Sequence, residues 1–369
     1  MSTFKYGDEK IKSRDIMIAV PSMLIAVGII SFPRHLAEST KASDGWAAIV
    51  LGGILAIVLT WSVAKIAASF PNQSFLAYAS FLVSRPVAVV LTFLFAIQGI
   101  MIAALEVRSI TDISHQYLFD RTPMEVVSLT FLLVVVYAVS GSRAGVLRLN
   151  ALFLPIIYLT TAILIFFSIG FMEGKNLFPI FKTDMQGYVQ GTFKSTLSYS
   201  GIGILFFYIS LVKNPKKAPR LAAVGMSGVV FIYLFIYLTT IAVFGDVTTA
   251  NIRFPLIELA KTIEIPGGFF ERLESIFFVI WIMAIFTTTA IAFDVSLMAL
   301  STIFPKVNKL KIVFLLSPLI FLISMLPKDV IEIERFGEYV SYSSWGLTGG
   351  IVILLWVFYK VKGRRKSGN

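Results

Sequence analysis

Long runs without a single charged residue most narrow what this chain can fold into. Ile16–Phe32, Ala47–Ala64 and Val224–Phe244 are three of them. A helix rising 1.5 Å per residue needs about 20 residues to cross roughly 30 Å of hydrocarbon, and each run approaches or exceeds that length. Lipid leaves no water for free backbone groups, so only helices and closed barrels span it. The runs lack the strict apolar–polar alternation of a transmembrane barrel strand. The fold class that follows is an all-α polytopic membrane protein. Only 14% of the residues are charged, against roughly 25% in a soluble domain that must cover its surface.

Charges and turn residues divide the chain into about ten transmembrane helices, at 14–36, 43–68, 87–114, 124–140, 147–169, 189–211, 219–245, 268–302, 311–326 and 337–361. The third and eighth are long, which implies tilt or extension beyond the bilayer. Assigning loops alternately to two sides collects Lys5, Lys10, Lys12, Arg14, Lys65, Arg85, Arg143, Arg148, Lys213, Lys216, Lys217, Arg220, Lys306, Lys309, Lys311 and the basic tail from Lys360 to Lys366 on one side. The acids of that side are Asp8, Glu9 and Asp15, all before the first span; nearly all others, from Glu38 to Glu338, fall opposite. Short cationic loops stay in the cytoplasm, so both termini are expected there. The charged start MSTFKYGDEKIKSRD has no small-residue cleavage site, so the first apolar run is expected to be a retained span.

The same distribution explains the net charge of +11. It reads as topology and contact with membrane lipid headgroups, not as nucleic-acid binding. There is no cysteine, hence no disulfide framework or thiolate metal site. His35 and His115 lie in or near outer loops, without a carboxylate cluster at metal spacing. No Gly-rich phosphate loop runs into Lys and Ser/Thr. Neither an enzyme nor a bound cofactor is expected.

Two spans carry helix breakers at a depth where lipid punishes free backbone. The first reads SMLIAVGIISFPRH, with Gly28 in mid-span and Pro33 disfavouring helix at Phe32. The sixth reads STLSYSGIGILFFY, with Gly201 and Gly203 beside Ser198 and Ser200. Irregular backbone is tolerated there only where it lines a cavity or is buried in protein. Each of these spans opens a half of five, and five is odd, so the halves have inverted topology. The expected organisation is one transmembrane domain over 1–369, with a first five-helix repeat in 1–170, a second, inverted one in 187–361, and a basic tail in 362–369. Paired broken helices in an inverted repeat point to a transporter-type site at the midplane. The half-helix N-termini would aim N–H groups at an anionic ligand group, most simply a carboxylate.

Polar residues inside the spans extend this reading, because they are costly in lipid. Gln98, Ile102 and Glu106 share one face of the third span. Gln98 is a candidate hydrogen-bonding partner for a ligand and Ile102 an apolar wall. Glu106 is either a proton, cation or water-pathway group or a structural partner of Arg108. On the eighth span Thr287 and Thr288, with Thr289, could bind a ligand carboxylate or a cation if they face the first break. Asp294, two turns further on, is either a proton or cation site or the partner of a cytoplasmic base.

On GIISFPR (Gly28 to Arg34), FPLIELAKTI (Phe254 to Ile263) and ERLESIFFVIWI (Glu271 to Ile282), in this order and spacing, the chain resembles the B subunits of bacterial spore germinant receptors. That family belongs to the amino acid–polyamine–organocation superfamily. The resemblance implies a LeuT-like 5+5 inverted repeat with helices 1 and 6 broken, and a ligand site formed by Ala26, Gly28, Gln98, Ile102, Ser200, Gly201, Thr287 and Thr288. It also implies a sensor of small-molecule nutrients such as amino acids, working with receptor A and C subunits in the spore inner membrane. An active ion- or proton-coupled amino-acid permease would use the same pocket. A lysine in the middle of the fifth span replaces sodium in some relatives of that superfamily, but residues 151–168 contain none.

Overall fold

The structure, a computed structural model, describes residues 10–262 and 273–366. Lys5, Asp8, Glu9, Ile263, Glu271 and the first residues of the eighth predicted span lie outside them, as does the end of the basic tail. The described chain is helical and contains no strand. Its α-helices are α1 (Ser13–Leu24), α2 (Val27–Ala37), α3 (Gly45–Ala68), α4 (Phe75–Leu82), α5 (Arg85–Tyr117), α6 (Met124–Ser140) and α7 (Arg143–Ser168). They continue as α8 (Met185–Ser198), α9 (Leu205–Tyr208), α10 (Ala218–Asn251), α11 (Pro255–Lys261), α12 (Leu273–Ile303), α13 (Lys309–Ser324) and α14 (Val330–Lys366). Short polar side chains start several of them by accepting an otherwise orphaned N–H: Ser74 from Ala77, Ser142 from Gly145, and Asp184 from Gly187.

Among the described residues six helices, α3, α5, α7, α10, α12 and α14, are individually long and apolar enough to cross a bilayer. The pair α1 and α2 forms a further span bent by 59°. The shorter α6 and α13, and the interrupted α8 and α9, supply the remaining crossings of the ten-span pattern. The third and eighth spans are long, at 33 residues for α5 and 31 for α12.

Helix contacts repeat between the two halves. The first span lies on α10 as α3 lies on α8, so spans one and seven match two and six. α5 meets α6, α13 and α14 as α12 meets α13, α6 and α7. The two self-matched pairs, α5 with α12 and α3 with α10, pack most extensively of all. Gly99 allows the first approach, since a Cβ there would collide with Ser296 Oγ and the Ala292 carbonyl of α12. Ser296 Oγ uses the closeness to donate to the Ala96 carbonyl at 2.9 Å.

One expectation is corrected here. The helix runs straight through Phe32 and Pro33, which sit inside α2, and the first span breaks earlier, at Ile25 and Ala26. Pro33 removes one amide donor, but its fixed φ fits a helix and the remaining turns hold. α4 was not foreseen. It lies between the second and third spans at the basic end, where Phe75 packs its ring against Phe95, Phe206 and Phe207. Tyr78 Oη of the same helix donates to the Phe206 carbonyl at 3.1 Å.

Candidate ligand site at two helix breaks

The first break is a stretch of backbone whose polar groups find partners on two other spans. α1 ends at Leu24, Ile25 has ψ 88°, and Ala26 has φ −144° and ψ −137°. The Leu24 carbonyl accepts from Tyr233 Oη on α10 at 2.9 Å, and the Ala26 carbonyl from Trp281 Nε1 on α12 at 3.1 Å. The Ser22 carbonyl accepts from Thr288 Oγ1 at 2.9 Å and Thr287 Oγ1 at 3.2 Å, also on α12. The backbone of Val27, in the first turn of α2, lies beside the Glu106 carboxylate on α5. Buried backbone groups are almost always paired, and these cross-links stand in for the missing helical bonds.

The second break is set by a glycine. α8 stops at Ser198, and Gly201 takes φ +103°, a left-handed conformation that residues with a Cβ rarely adopt. A Cβ there would also sit 3.0 Å from Met23 Cε of α1. The Gly201 N–H donates to Ser344 Oγ on α14 at 3.0 Å. The chain then resumes through the turn Ile202–Ile204 into α9.

Between the breaks lies a cavity of about 410 Å³, within the range of small-molecule sites. Ala26, Gly28, Ile102, Glu106, Ser200 and Thr288 line it, so six of the sequence-derived residues meet there. Gln98 and Gly201 instead border a recess of about 20 Å³ beside it, with room for about one water. Gln98 is engaged by the protein itself: Nε2 donates to the Val340 carbonyl at 2.9 Å, and Oε1 accepts from Ser343 Oγ at 2.8 Å. It ties α5 to α14. Thr287 is buried behind Thr288, bonded to Ser22 and to its own helix at Ala284. Asp294 lies away from the cavity, 3.4 Å from Arg143 Nε, and accepts from Tyr208 Oη at 2.9 Å. Of the two readings left open for it, this geometry is that of a partner to a base at the basic end.

The cavity runs toward the end of the bundle that carries the acidic loops. Its mouth is laced by ion pairs: Arg34 with Glu334 at 2.8 Å and Glu38 at 3.0 Å, Lys194 with Glu38 at 2.9 Å, and Arg253 with Asp112 at 2.6 Å. The opposite end is closed by the Phe75 cluster, by Asp294 with its partners, and by a bridge between Ile11 and the segment after α9. Sequence reading missed Arg34–Glu334, Tyr233 and Ser344, because no local pattern shows which distant side chain meets a break. Trp281 stood in the WI of a quoted motif, but its hydrogen bond to Ala26 depends on tertiary packing.

The described contacts agree with what known proteins show. Residues 10–333 match the spore permease family model, described as spore germination protein. GerLB of Bacillus cereus, a spore germination protein, is 40% identical over 371 residues, covering 100% of this chain and 99% of that protein. YndE of Bacillus subtilis (strain 168), likewise a spore germination protein, is 29% identical over 361 residues, 96% of this chain and 98% of its own. Among solved structures, MhsT in complex with L-phenylalanine superposes with TM-score 0.71 at 16% identity, over 92% of this chain and 88% of that one. Mhp1, a nucleobase-cation-symport transporter in a closed conformation with bromovinylhydantoin bound, gives 0.67 at 16% identity, over 98% and 80%. These likenesses establish a LeuT-type transporter fold in an integral membrane protein. With a 40% identical relative over its full length and a family match over most of its residues, the chain belongs to the spore germination permease family.

Proposed function

We propose that this chain is the nutrient-sensing subunit of a germinant receptor, binding a small ligand of the amino-acid class between the two helix breaks and passing on a conformational change. The observation that carries the reading is the cavity of about 410 Å³ bounded by both breaks and open toward the acidic end. A scaffold that binds nothing has no use for unwound backbone at the membrane midplane. On this reading, in a chain of two repeats, 1–170 and 187–361, the bundle containing the first and sixth spans moves against the third and eighth spans, which the ligand bridges. The receptor A and C subunits are the partners, the spore inner membrane is the location, and both termini lie on the cytoplasmic or core side. The charge pattern supports that orientation. Ala26, Gly28, Ile102, Ser200 and Thr288 form the binding surface, while Gly201, Gln98 and Thr287 hold it in shape.

The second reading, an ion- or proton-coupled permease, is favoured by the superposition on MhsT, a structure holding L-phenylalanine. Reconstitution separates the two. The full chain in proteoliposomes is assayed for equilibrium binding and for accumulation of labelled amino acids, with and without sodium or proton gradients. A sensor binds saturably and accumulates nothing; gradient-driven accumulation establishes the permease instead. Absence of both leaves the scaffold.

A further inference from the structure

On the cavity wall, Oε2 of Glu106 has no hydrogen-bond partner among the described residues. Glu106 is only 7% exposed. Its carboxylate lies beside the Val27 backbone at the start of α2, and this proximity changes the electrostatics of the first break. A half-helix N-terminus carries roughly half a positive charge and free N–H groups, and so draws a ligand's carboxylate. Here the protein's own carboxylate already occupies that position.

The facing wall has the same sign. Leu197 and Ser198, at the end of α8, and Ser200 just beyond line the cavity. A helix C-terminus carries roughly half a negative charge, and the last turn of α8 holds no basic residue. The cavity-lining cations Arg34, Lys194 and Arg253 belong to the mouth and are each paired with a carboxylate there, and the buried Arg108 on α5 turns to Met124 Sδ. The deep part of the cavity is therefore furnished for positive charge. A buried carboxylate is costly unless a cation meets it, and a charge-assisted N–H···O bond is the strong form of that meeting.

We propose that the Glu106 carboxylate receives the ammonium group of the ligand, so that the site selects amino compounds and rejects carboxylates that lack a cationic nitrogen. The proposal rests on the cavity being the ligand site. Val27, Ile102 and Leu105 line the cavity with Glu106, and the last two of the three offer apolar surface.

The test uses the purified full chain in nanodiscs and calorimetric titration with the twenty standard amino acids. The tightest binder is then compared with its α-hydroxy analogue, which keeps the carboxylate and side chain and replaces the ammonium with a hydroxyl. The expected result is at least tenfold weaker binding of the hydroxy acid. Glu106→Gln keeps the side chain's shape but carries no charge, and it should weaken the amino acid by about ten- to a hundredfold, with Glu106→Asp recovering part. Equal binding of the two analogues by the wild type overturns the proposal without reference to any variant. Unchanged affinity in a folded Glu106→Gln also overturns it. If no amino acid binds, the cavity itself is not the site and both readings fall. A hydroxy acid that binds better sinks the charge assignment alone.

Discussion

At the first break the chain turns at Ile25 and Ala26 with negative φ angles open to any residue, and hydrogen bonds from α10 and α12 hold it. At the second, Gly201 sits at φ +103° against Met23, with one hydrogen bond to Ser344. One interruption is imposed from outside by polar side chains; the other is written into the residue type. The distinction has a mechanical consequence. Hydrogen bonds that cross between spans can exchange partners as helices shift, whereas a left-handed turn at glycine carries no Cβ strain and needs no outside partner to form. A ligand changes a conformational equilibrium only through different affinity for the two states, and the first break offers contacts that can differ.

The sharpest way to break this comparison is to give a side chain to Gly201 at the second break and to Gly28 just past the first. Gly201→Leu forces a branched side chain into a left-handed conformation, at about 1–2 kcal/mol for the backbone alone, and drives it into Met23. Ligand affinity should fall by at least about a hundredfold, read by titration of the folded protein. Gly28, by contrast, is helical, and a Cβ built there meets nothing within 4 Å. Gly28→Ala should keep affinity within about threefold and, if anything, raise the melting temperature, since alanine is favoured over glycine in a helix by up to about 1 kcal/mol. Comparable losses in both variants would show that the second break is not special.

A second test concerns the loop that leads into α8 and thus into the second break. Asp44, buried ahead of α3, accepts from the backbone N–H groups of Phe181, Lys182 and Thr183 at 2.6, 2.7 and 2.8 Å. Burial alone would push its carboxyl up, but these donors outweigh it and hold the carboxyl below the ordinary 3.8. A depressed value contributes stability that is full above the unfolded pKa and is lost as pH falls through the folded one. The wild type should therefore lose thermal stability on acidification below about pH 4. Asp44→Asn should lack that step and, at neutral pH, be about 2–3 kcal/mol less stable, the scale of hydrogen bonds to a charged group. Superimposable melting curves for the two proteins across the pH range would remove Asp44 as the anchor.

Gly201 was legible because a glycine pair flanked by serines, at span depth, has few structural uses. The first break was read in the right span: the resemblance pointed to Ala26, where the helix does break, while the helix breakers read from the residues, Gly28 and Pro33, lie inside α2. Pro33 is the visible breaker, yet it is absorbed by α2, while Ile25 and Ala26 have no intrinsic reason to leave the helix. Their conformation is decided by Thr288, Trp281, Tyr233 and Glu106, which come from elsewhere in the chain. Gln98 shows the same limit from the other side. Its depth and polarity mark it as costly, but only the packed structure reveals that Val340 and Ser343 take both ends of the amide. Periodicity gives spans and faces; it does not give the partner across a tertiary contact.

The finest test separates Thr287 from Thr288, adjacent hydroxyls that both reach the Ser22 carbonyl of α1. Thr288 Oγ1 donates there at 2.9 Å, and this is its only hydrogen bond among the described residues. Thr287 Oγ1 lies farther off, at 3.2 Å, and is closer, at 2.8 Å, to the Ala284 carbonyl of its own helix. A hydroxyl has one proton, so Thr287 spends it mainly within α12. Valine matches threonine in shape and removes the hydroxyl, so packing is kept while the bond is deleted. Thr288→Val should cost about 1 kcal/mol of the link between α1 and α12, and Thr287→Val a few tenths. If that link holds the first break in its ligand-binding form, the affinity loss should follow the same order, about fivefold for Thr288→Val and under twofold for Thr287→Val. The double variant should match the sum of the two only if the hydroxyls act independently. Equal effects from the two single variants would mean that Ser22 is shared evenly. No effect from either would mean that the first break keeps its shape without α12.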